Sequence, residues 1–339
     1  MKAKKLKFEV AGVIAAMALS SGTVFAEGVE ITGVAEVEAN FTQDTGFAPG
    51  VSESDIALAT VELGVDAAVS KDVSAHVLFL YEEDDTVFDV DEGNITVKLN
   101  ETTSLTAGKM YVPFGNFESN MISDPLTLEL GETNETVIQL GFESGAVTGS
   151  VYVFNGDSGK VGSDESVDGM GANVDMSGEF AGGELNLGAS YISNIADSNA
   201  LQEVGGNAEV ADTVPGYAFI ANWSGGPLSV TGEYVAATTD FSAGDLGAII
   251  TAATTPTAMN IEFGYDLANG MTVAAAYQAS SDARFLGLAE DGYLLSLSTE
   301  VAEGAALAVE YSMMNDYSVA DGGTGESSSN LALQMAVEF

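Results

Sequence analysis

Hydrophobic and polar residues alternate along most of this chain. In the C-terminal stretch NLALQMAVEF, Leu331, Leu333, Met335, Val337 and Phe339 occupy one phase. Asn330, Ala332, Gln334, Ala336 and Glu338 occupy the other. A period of two marks a strand with one apolar and one polar or small face. The same pattern recurs in AALAVEYSMMND, where Leu307, Val309, Tyr311 and Met313 oppose Ala308, Glu310, Ser312 and Met314, and in MNIEFGYDL, where Met259, Ile261, Phe263, Tyr265 and Leu267 share a phase. Sixteen such segments can be traced, starting near residues 29, 56, 73, 87, 104, 135, 146, 168, 183, 215, 228, 257, 271, 290, 305 and 329.

The joints between them alternate in kind. Seven are tight (SKD, ETT, SGA, AGG, GGP, ANG and AEG), and the eight others tend to be longer and polar. All six prolines fall in joints or at strand starts, where a missing N–H does least harm to a sheet. Short turns at one end and long loops at the other are the layout of an antiparallel up-and-down transmembrane β-barrel of the outer-membrane type. A soluble sandwich or propeller also alternates, but it has no reason for that asymmetry. Aromatics agree with a barrel. Tyr81, Tyr191, Tyr217, Tyr234, Tyr277, Tyr293 and Tyr311 fall at the long-loop end of their strands, and Phe142, Phe180, Trp223, Tyr265 and Phe339 at the other. These are the two girdles expected at membrane–water interfaces.

Composition sharpens the picture. The 339-residue chain is 46% apolar yet carries a formal net charge of −42, so it buries or lipid-solvates much apolar surface while repelling nucleic acid. With no cysteine, it has neither disulfides nor thiolate metal chemistry. Lys2, Lys4, Lys5 and Lys7, followed by the apolar run Val10 to Leu19 and by Val24-Phe25-Ala26, read as a signal peptide over residues 1–26, cleaved after Ala26. The barrel is then expected to occupy residues 27–339.

The second phase of each strand faces inward. It collects Glu30, Glu36, Glu38, Glu62, Asp66, Glu82, Glu143, Asp175, Glu179, Glu184, Glu233, Glu262, Asp266, Glu300 and Glu310, against Lys98, His76 and, in an ambiguous phase, Lys109. Sixteen strands enclose an aqueous channel. A lining of one sign favours passage of cations by small solutes' diffusion path. A serine hydrolase site needs a serine, a base and an orienting group in register, and the one histidine, His76, sits mid-strand with alternating neighbours, as a lumen-lining residue would, so the chain is expected to be no enzyme and to need no cofactor. The loops YEEDDTVFDVDEG and NGDSGKVGSDESVDG could hold Ca²⁺ through carboxylate oxygens, although neither has the spacing of a dedicated calcium loop.

One stretch departs from the pattern. KMYVPFGNFESNMISDPLTLELGE, from Lys109, has two prolines and no clean alternation, and its apolar residues would be costly on an exposed tip. The third long connection, residues 112–134, is therefore expected to fold inward and narrow the channel. Phe114, Phe117 and Ile122 would lie on the wall, and Glu118, Asp124 and Glu129 toward the water. A contact with a partner or a further subunit, as in a homotrimer, is the other reading. The run GKMYVPFGNFESNMISDPLTLELGET resembles a segment of the LbtU-type siderophore-porin family, and the strand count is similar to that of general porins, whose third loop enters the pore. That resemblance implies an outer-membrane porin and uptake of ferric siderophore. The arginine ladder of general porins is missing, since Arg284 is the only arginine. The final strand, ending on Phe339, resembles the signal read by the barrel-insertion machinery.

Overall fold

The computed structural model describes residues 28–83, 86–162, 167–206 and 209–339. The expected signal peptide lies outside the described residues. The alternating segments form β1 (Val29–Gln43), β2 (Ser52–Ser70), β3 (Val73–Tyr81), β4 (Asp89–Lys98), β5 (Thr103–Tyr111), β6 (Asn134–Ser144), β7 (Val147–Phe154) and β8 (Gly169–Phe180) in the first half. The second half holds β9 (Gly183–Ile192), β10 (Gly216–Gly225), β11 (Leu228–Ala237), β12 (Thr257–Asp266), β13 (Met271–Ser281), β14 (Asp291–Ala302), β15 (Ala305–Asn315) and β16 (Ser327–Glu338). Each strand pairs antiparallel with its sequence neighbours, and β1 pairs with β16 to close a sixteen-strand barrel.

Alternation decides which side of the sheet each residue takes. Ile138, Val151, Phe263, Leu295 and Met335 stand exposed on the outside, while Glu36, Glu262 and Glu310 of the opposite phase are buried. Cross-strand pairs keep the two sets apart: Val37 lies opposite Met335, and Glu36 opposite Ala336. Rings meet at the long-loop end, where Tyr277 packs on Tyr293 with centroids 5.1 Å apart and Tyr217 on Tyr234 at 6.1 Å. At the short-turn end the Trp223 indole N–H donates to the Phe180 carbonyl at 2.9 Å.

Strand starts agree with the alternation to within two residues except in β2, which begins at Ser52, four residues earlier than its pattern suggests. Its first residues, Ser-Glu-Ser-Asp, are polar in both phases and hide the strand. A register shift between Glu36 and Glu38 then reverses the phase of β2 partway along.

The inside of the barrel is not uniformly polar. Val137, Tyr152, Phe154, Ile192 and Val235 occupy inward positions on β6, β7, β9 and β11 and are almost fully buried. They join Phe114, Phe117, Leu126 and Leu130 of the third long connection in one apolar core. Three short helices take part: α1 (Leu126–Gly131), α2 (Asn199–Gly205) and α3 (Asp245–Ala248). Leu201 of α2, Leu246 of α3 and Phe241 extend the core toward the long loops. Around the loop the inner face of β6–β11 is thus apolar and covered, while nearer the short turns Asn173, Asp175 and Asn222 of the same strands are half-buried; the acidic side chains of β1–β4 face the loop from the other side.

The seam rests on the last residue. Phe339 and Gly33 exchange backbone hydrogen bonds of 3.0 and 2.9 Å. The Phe339 ring lies across Gly33 so closely that a β-carbon there would come within 2.4 Å of it. Deleting Phe339 removes both bonds and the ring at the point of closure. The truncated chain should accumulate as periplasmic, protease-sensitive protein without heat-modifiable gel mobility; normal insertion would show that the seam closes without it.

Candidate pore constriction

Residues 112–133 leave the top of β5, cross the lumen and return to β6 through α1. Gly115, at φ +89°, has no β-carbon to obstruct the Phe117 ring, which folds beneath it. Phe117 itself takes φ +55°, uncommon for a bulky residue, and needs outside support to hold it. Inward-facing glutamates supply that support.

The loop runs along the inner wall from β10 to β15 and is fastened strand by strand. Glu118 accepts from the Asn222 side-chain amide of β10 at 3.0 Å. Glu233 of β11 accepts from the Asn116 N–H at 2.7 Å, the Phe117 N–H at 3.2 Å and the Thr127 hydroxyl at 2.8 Å. Glu262 of β12 takes the Ser119 hydroxyl and the Asn120 N–H, both at 2.8 Å, and the Asn120 side-chain amide. On β13 the Gln278 carbonyl oxygen accepts from the Leu126 N–H at 3.2 Å. Glu310 of β15 accepts from the Ile122 N–H and the Ser123 hydroxyl, each at 2.6 Å. An irregular loop exposes unpaired N–H groups, and carboxylates satisfy several at once with charge-assisted bonds.

The exit of the loop is held from the extracellular side. The Asn199 N–H at the start of α2 donates to the Glu132 carbonyl at 2.8 Å, and its side-chain amide donates to the Glu132 carboxylate at 3.0 Å. In return its side-chain oxygen accepts from the Asn134 N–H at 3.0 Å. One asparagine therefore clasps both sides of the hinge between α1 and β6.

The structure sorts the sequence-derived residues into two sets. Phe114 and Phe117 are buried against the wall, and Glu118 is half-buried at its bond to Asn222. Glu233, Glu262 and Glu310, expected to line open water, are instead 6%, 1% and 1% exposed and are occupied with loop N–H and hydroxyl groups. Asp124 is exposed within the lumen and Glu129 half-buried. Across from them on the β1–β4 side stand Glu36, Glu62 and Asp66, with Asp66 hydrogen-bonded to His76 Nδ1 at 2.9 Å. Asp175 accepts from Asn173 at 2.8 Å on β8, and Lys98 is exposed at the short-turn end of β4. Lys109 does not face the lumen: it pairs with Thr136, in the phase of Ala107 and the exposed Ile138, outside the barrel. The sequence reading missed Asp91, Glu92 and Glu132. A register shift in the β3–β4 pair falls beside the first two and disturbs the alternation, while Glu132 lies in the irregular loop.

Enclosure by the wall, reinforced by Glu129, Glu38, Glu82 and Glu310, pushes the Asp124 carboxyl up to about 7. Burial, with Asp124, Asp91 and Glu129 adding to it against the bond from Asn199, pushes Glu132 up to about 8. Burial and Glu203 raise Glu129 as well. Carboxyls this close cannot all ionise cheaply.

Replacing Glu233 by Ala strands two backbone N–H groups and one hydroxyl, about 1–3 kcal/mol for each left unsatisfied. The loop should then fluctuate while the barrel stays closed. Single-channel recordings of Glu233→Ala and of Asn199→Ala should show added open-state noise with unchanged heat-modifiable mobility; quiet, wild-type-like traces would mean that neither contact holds the loop.

A family model described as Gram-negative porin matches residues 12–335. A UPF0422 protein of Legionella pneumophila (strain Philadelphia 1) is 27% identical over 92% of this chain and 66% of its own length. One of Coxiella burnetii is 28% identical over 60% of this chain and 46% of its own. The chain thus spans 66% of the length of its Legionella relatives. Among solved structures, an anion-selective porin from Comamonas acidovorans superposes with a TM-score of 0.65 at 11% identity, covering 92% of this chain and 99% of that one. Salmonella typhi OmpF in complex with daunomycin gives 0.63 at 14%, covering 92% and 97%. The trimer form of Vibrio cholerae OmpT gives 0.58 at 14%, covering 92% and 99%. At these identities the likeness is one of fold. With the closed barrel and the family match together, the chain belongs to the Gram-negative porins and resides in the bacterial outer membrane.

Proposed function

We propose that the barrel forms a water-filled, cation-preferring channel for passive diffusion of small solutes, narrowed by residues 112–133. One observation carries this: Asp124 on the loop lies close enough to Glu36, Glu38 and Glu82 on the barrel for their charges to interact. The water path runs between the loop and the β1–β4 wall, with carboxylates on both banks. Among the described residues, the basic groups near it are His76 and Lys98, and Lys109, in the outer phase, still interacts with Asp91 and Glu92 of β4. Lys71 lies in the turn after β2, Lys160 pairs with Asp212, and Arg284 sits in the loop after β13. Field lines focused between low-dielectric walls then favour cations. Self-association, as in the trimer form of OmpT, belongs to the same proposal. Selective uptake of a ferric siderophore is the alternative, drawn from the likeness of the loop segment to siderophore porins. Block of the current by a ferric siderophore at low concentration would establish it. A barrel serving only as a surface scaffold would pass no current in planar bilayers.

Selectivity should depend on pH with a definite sign. Asp124 is neutral below about 7 and charged above it, so rising pH adds negative charge to the narrow zone. Reversal potentials in a KCl gradient should show cation preference that grows between about pH 6 and 8, and Asp124→Asn should flatten that rise. The preference should also shrink near 1 M salt, where the Debye length falls to about 3 Å. Anion preference would overturn the assignment.

Removing Asn116 to Thr127 should raise conductance and weaken cation preference while gel mobility remains heat-modifiable, because the ladder stabilises the barrel without the loop. Unchanged conductance would exclude the loop as the constriction.

A further inference from the structure

We propose that the open bank of the lumen selects among cations, favouring organic ammonium ions that carry an alkyl or aryl group, through Leu78 and Leu80 of β3. This rests on the cation-preferring channel proposed above and names the class of cation it suits. β3 breaks the alternation of its neighbours: in VLFLY, residues 77–81, every position is apolar or aromatic. Register settles which face each takes. His76 is inward, bonded to Asp66 across the β2–β3 pair, and Leu78 and Leu80 follow it in the same phase, opposite Gly64 and Glu62. A β-carbon on Gly64 would lie 3.9 Å from the Leu78 side chain, on that same face. Phe79, in the other phase, stacks outside on the exposed ring of Phe88 with centroids 5.4 Å apart.

The inward apolar residues of β6–β11 are covered, since Val137, Tyr152, Phe154, Ile192 and Val235 pack under the third long connection. Leu78 and Leu80 stay outside that core, half-buried, with no lipid on their side of the sheet. Carboxylates flank them instead. Glu62 stands between Val34 and Leu80 in one register row, Val34 being half-buried as well, and Glu92 of β4 lies opposite Leu78. Glu62 and Glu92 are close enough for their charges to interact. Glu62 is likewise close to Glu36, which interacts with Asp124 of the loop. The patch therefore lies on the water path at the narrow zone.

A hydrated metal ion is attracted by the carboxylates alone and finds no partner in the leucines. An ammonium ion with an apolar body uses both. Its charge lies at Glu62 or Glu92, while its carbon chain covers the leucines and releases the water held against each. The spacing sets the size. Leu78 and Leu80 are about 7 Å apart along the strand, and β2 and β4 about 10 Å apart across it, which suits a chain of about six carbons or a single ring.

The probes are hexylammonium and N-methylglucammonium, of similar length and equal charge, the second hydroxylated where the first is bare. Each is applied as a blocker of K⁺ current through the intact protein in planar bilayers. Hexylammonium should half-block at a concentration about fivefold lower, the effect of burying one to two CH₂ groups. Leu78→Ser combined with Leu80→Ser should bring the two probes together, with heat-modifiable mobility as the fold control. Leu295→Ala, which faces lipid on β14, should keep them apart. Should the double variant fail to insert, butylammonium against hexylammonium on wild type decides, because block that does not strengthen with chain length overturns the patch. A folded double variant that still separates the probes would overturn it too. Equal block by both probes in a channel that does prefer cations would also overturn it and leave the proposed function standing. A channel without cation preference would instead remove that function, and this inference with it.

Discussion

Everything in this molecule depends on the requirement that no backbone N–H or C=O face hydrocarbon unpaired. A sheet meets it in a membrane only by closing on itself, and here the closing pair is β1 with β16. Closure fixes the rest in turn. One phase of each strand must be apolar because it meets lipid, and the other is released to face a lumen. Strong negative charge is tolerated because water reaches it there.

The lumen then presents its own version of the same problem. A long irregular segment placed inside it has N–H groups that no strand can pair. The chain answers with Glu233, Glu262 and Glu310, three inward carboxylates on β11, β12 and β15, each accepting several bonds from the loop. Acidic residues in this barrel therefore fall into two groups with different work. Those beneath the loop hold it in place and are removed from water. Those on β1–β4 face it across the lumen with Asp124 and Glu129, and of these Glu36 is itself buried.

The loop also has an apolar side, and that divides the barrel. Phe114, Phe117 and Leu130 pack on Val137, Tyr152, Phe154, Ile192 and Val235, whose inward positions lose contact with water. Helices α1 and α2 sit over this packing, and Asn199 ties the loop exit to the extracellular connection before β10. The position of the narrow zone is thus coupled to the loops above it rather than to the wall alone.

Period-two alternation was enough to predict the strand number, the antiparallel up-and-down topology and the two girdles, because each follows from neighbours one or two residues apart; the segment between β5 and β6 stood out only as the apolar, proline-bent stretch that breaks the pattern. Glu36, Glu62, Asp66 and His76 were legible as inward-facing for the same reason. Lys109 was not, since Gly108 and Met110 beside it leave the phase undefined until register pairs Lys109 with Thr136. Nor could alternation distinguish Glu262 from Glu62. Both occupy inward positions, but one lies under the loop and the other does not. That difference arises from residues more than a hundred positions away in sequence. Which carboxylates hold the loop, which face it, and which stretch of the inner wall it covers were decided only when the closed barrel brought β5 and β6 opposite β11–β15.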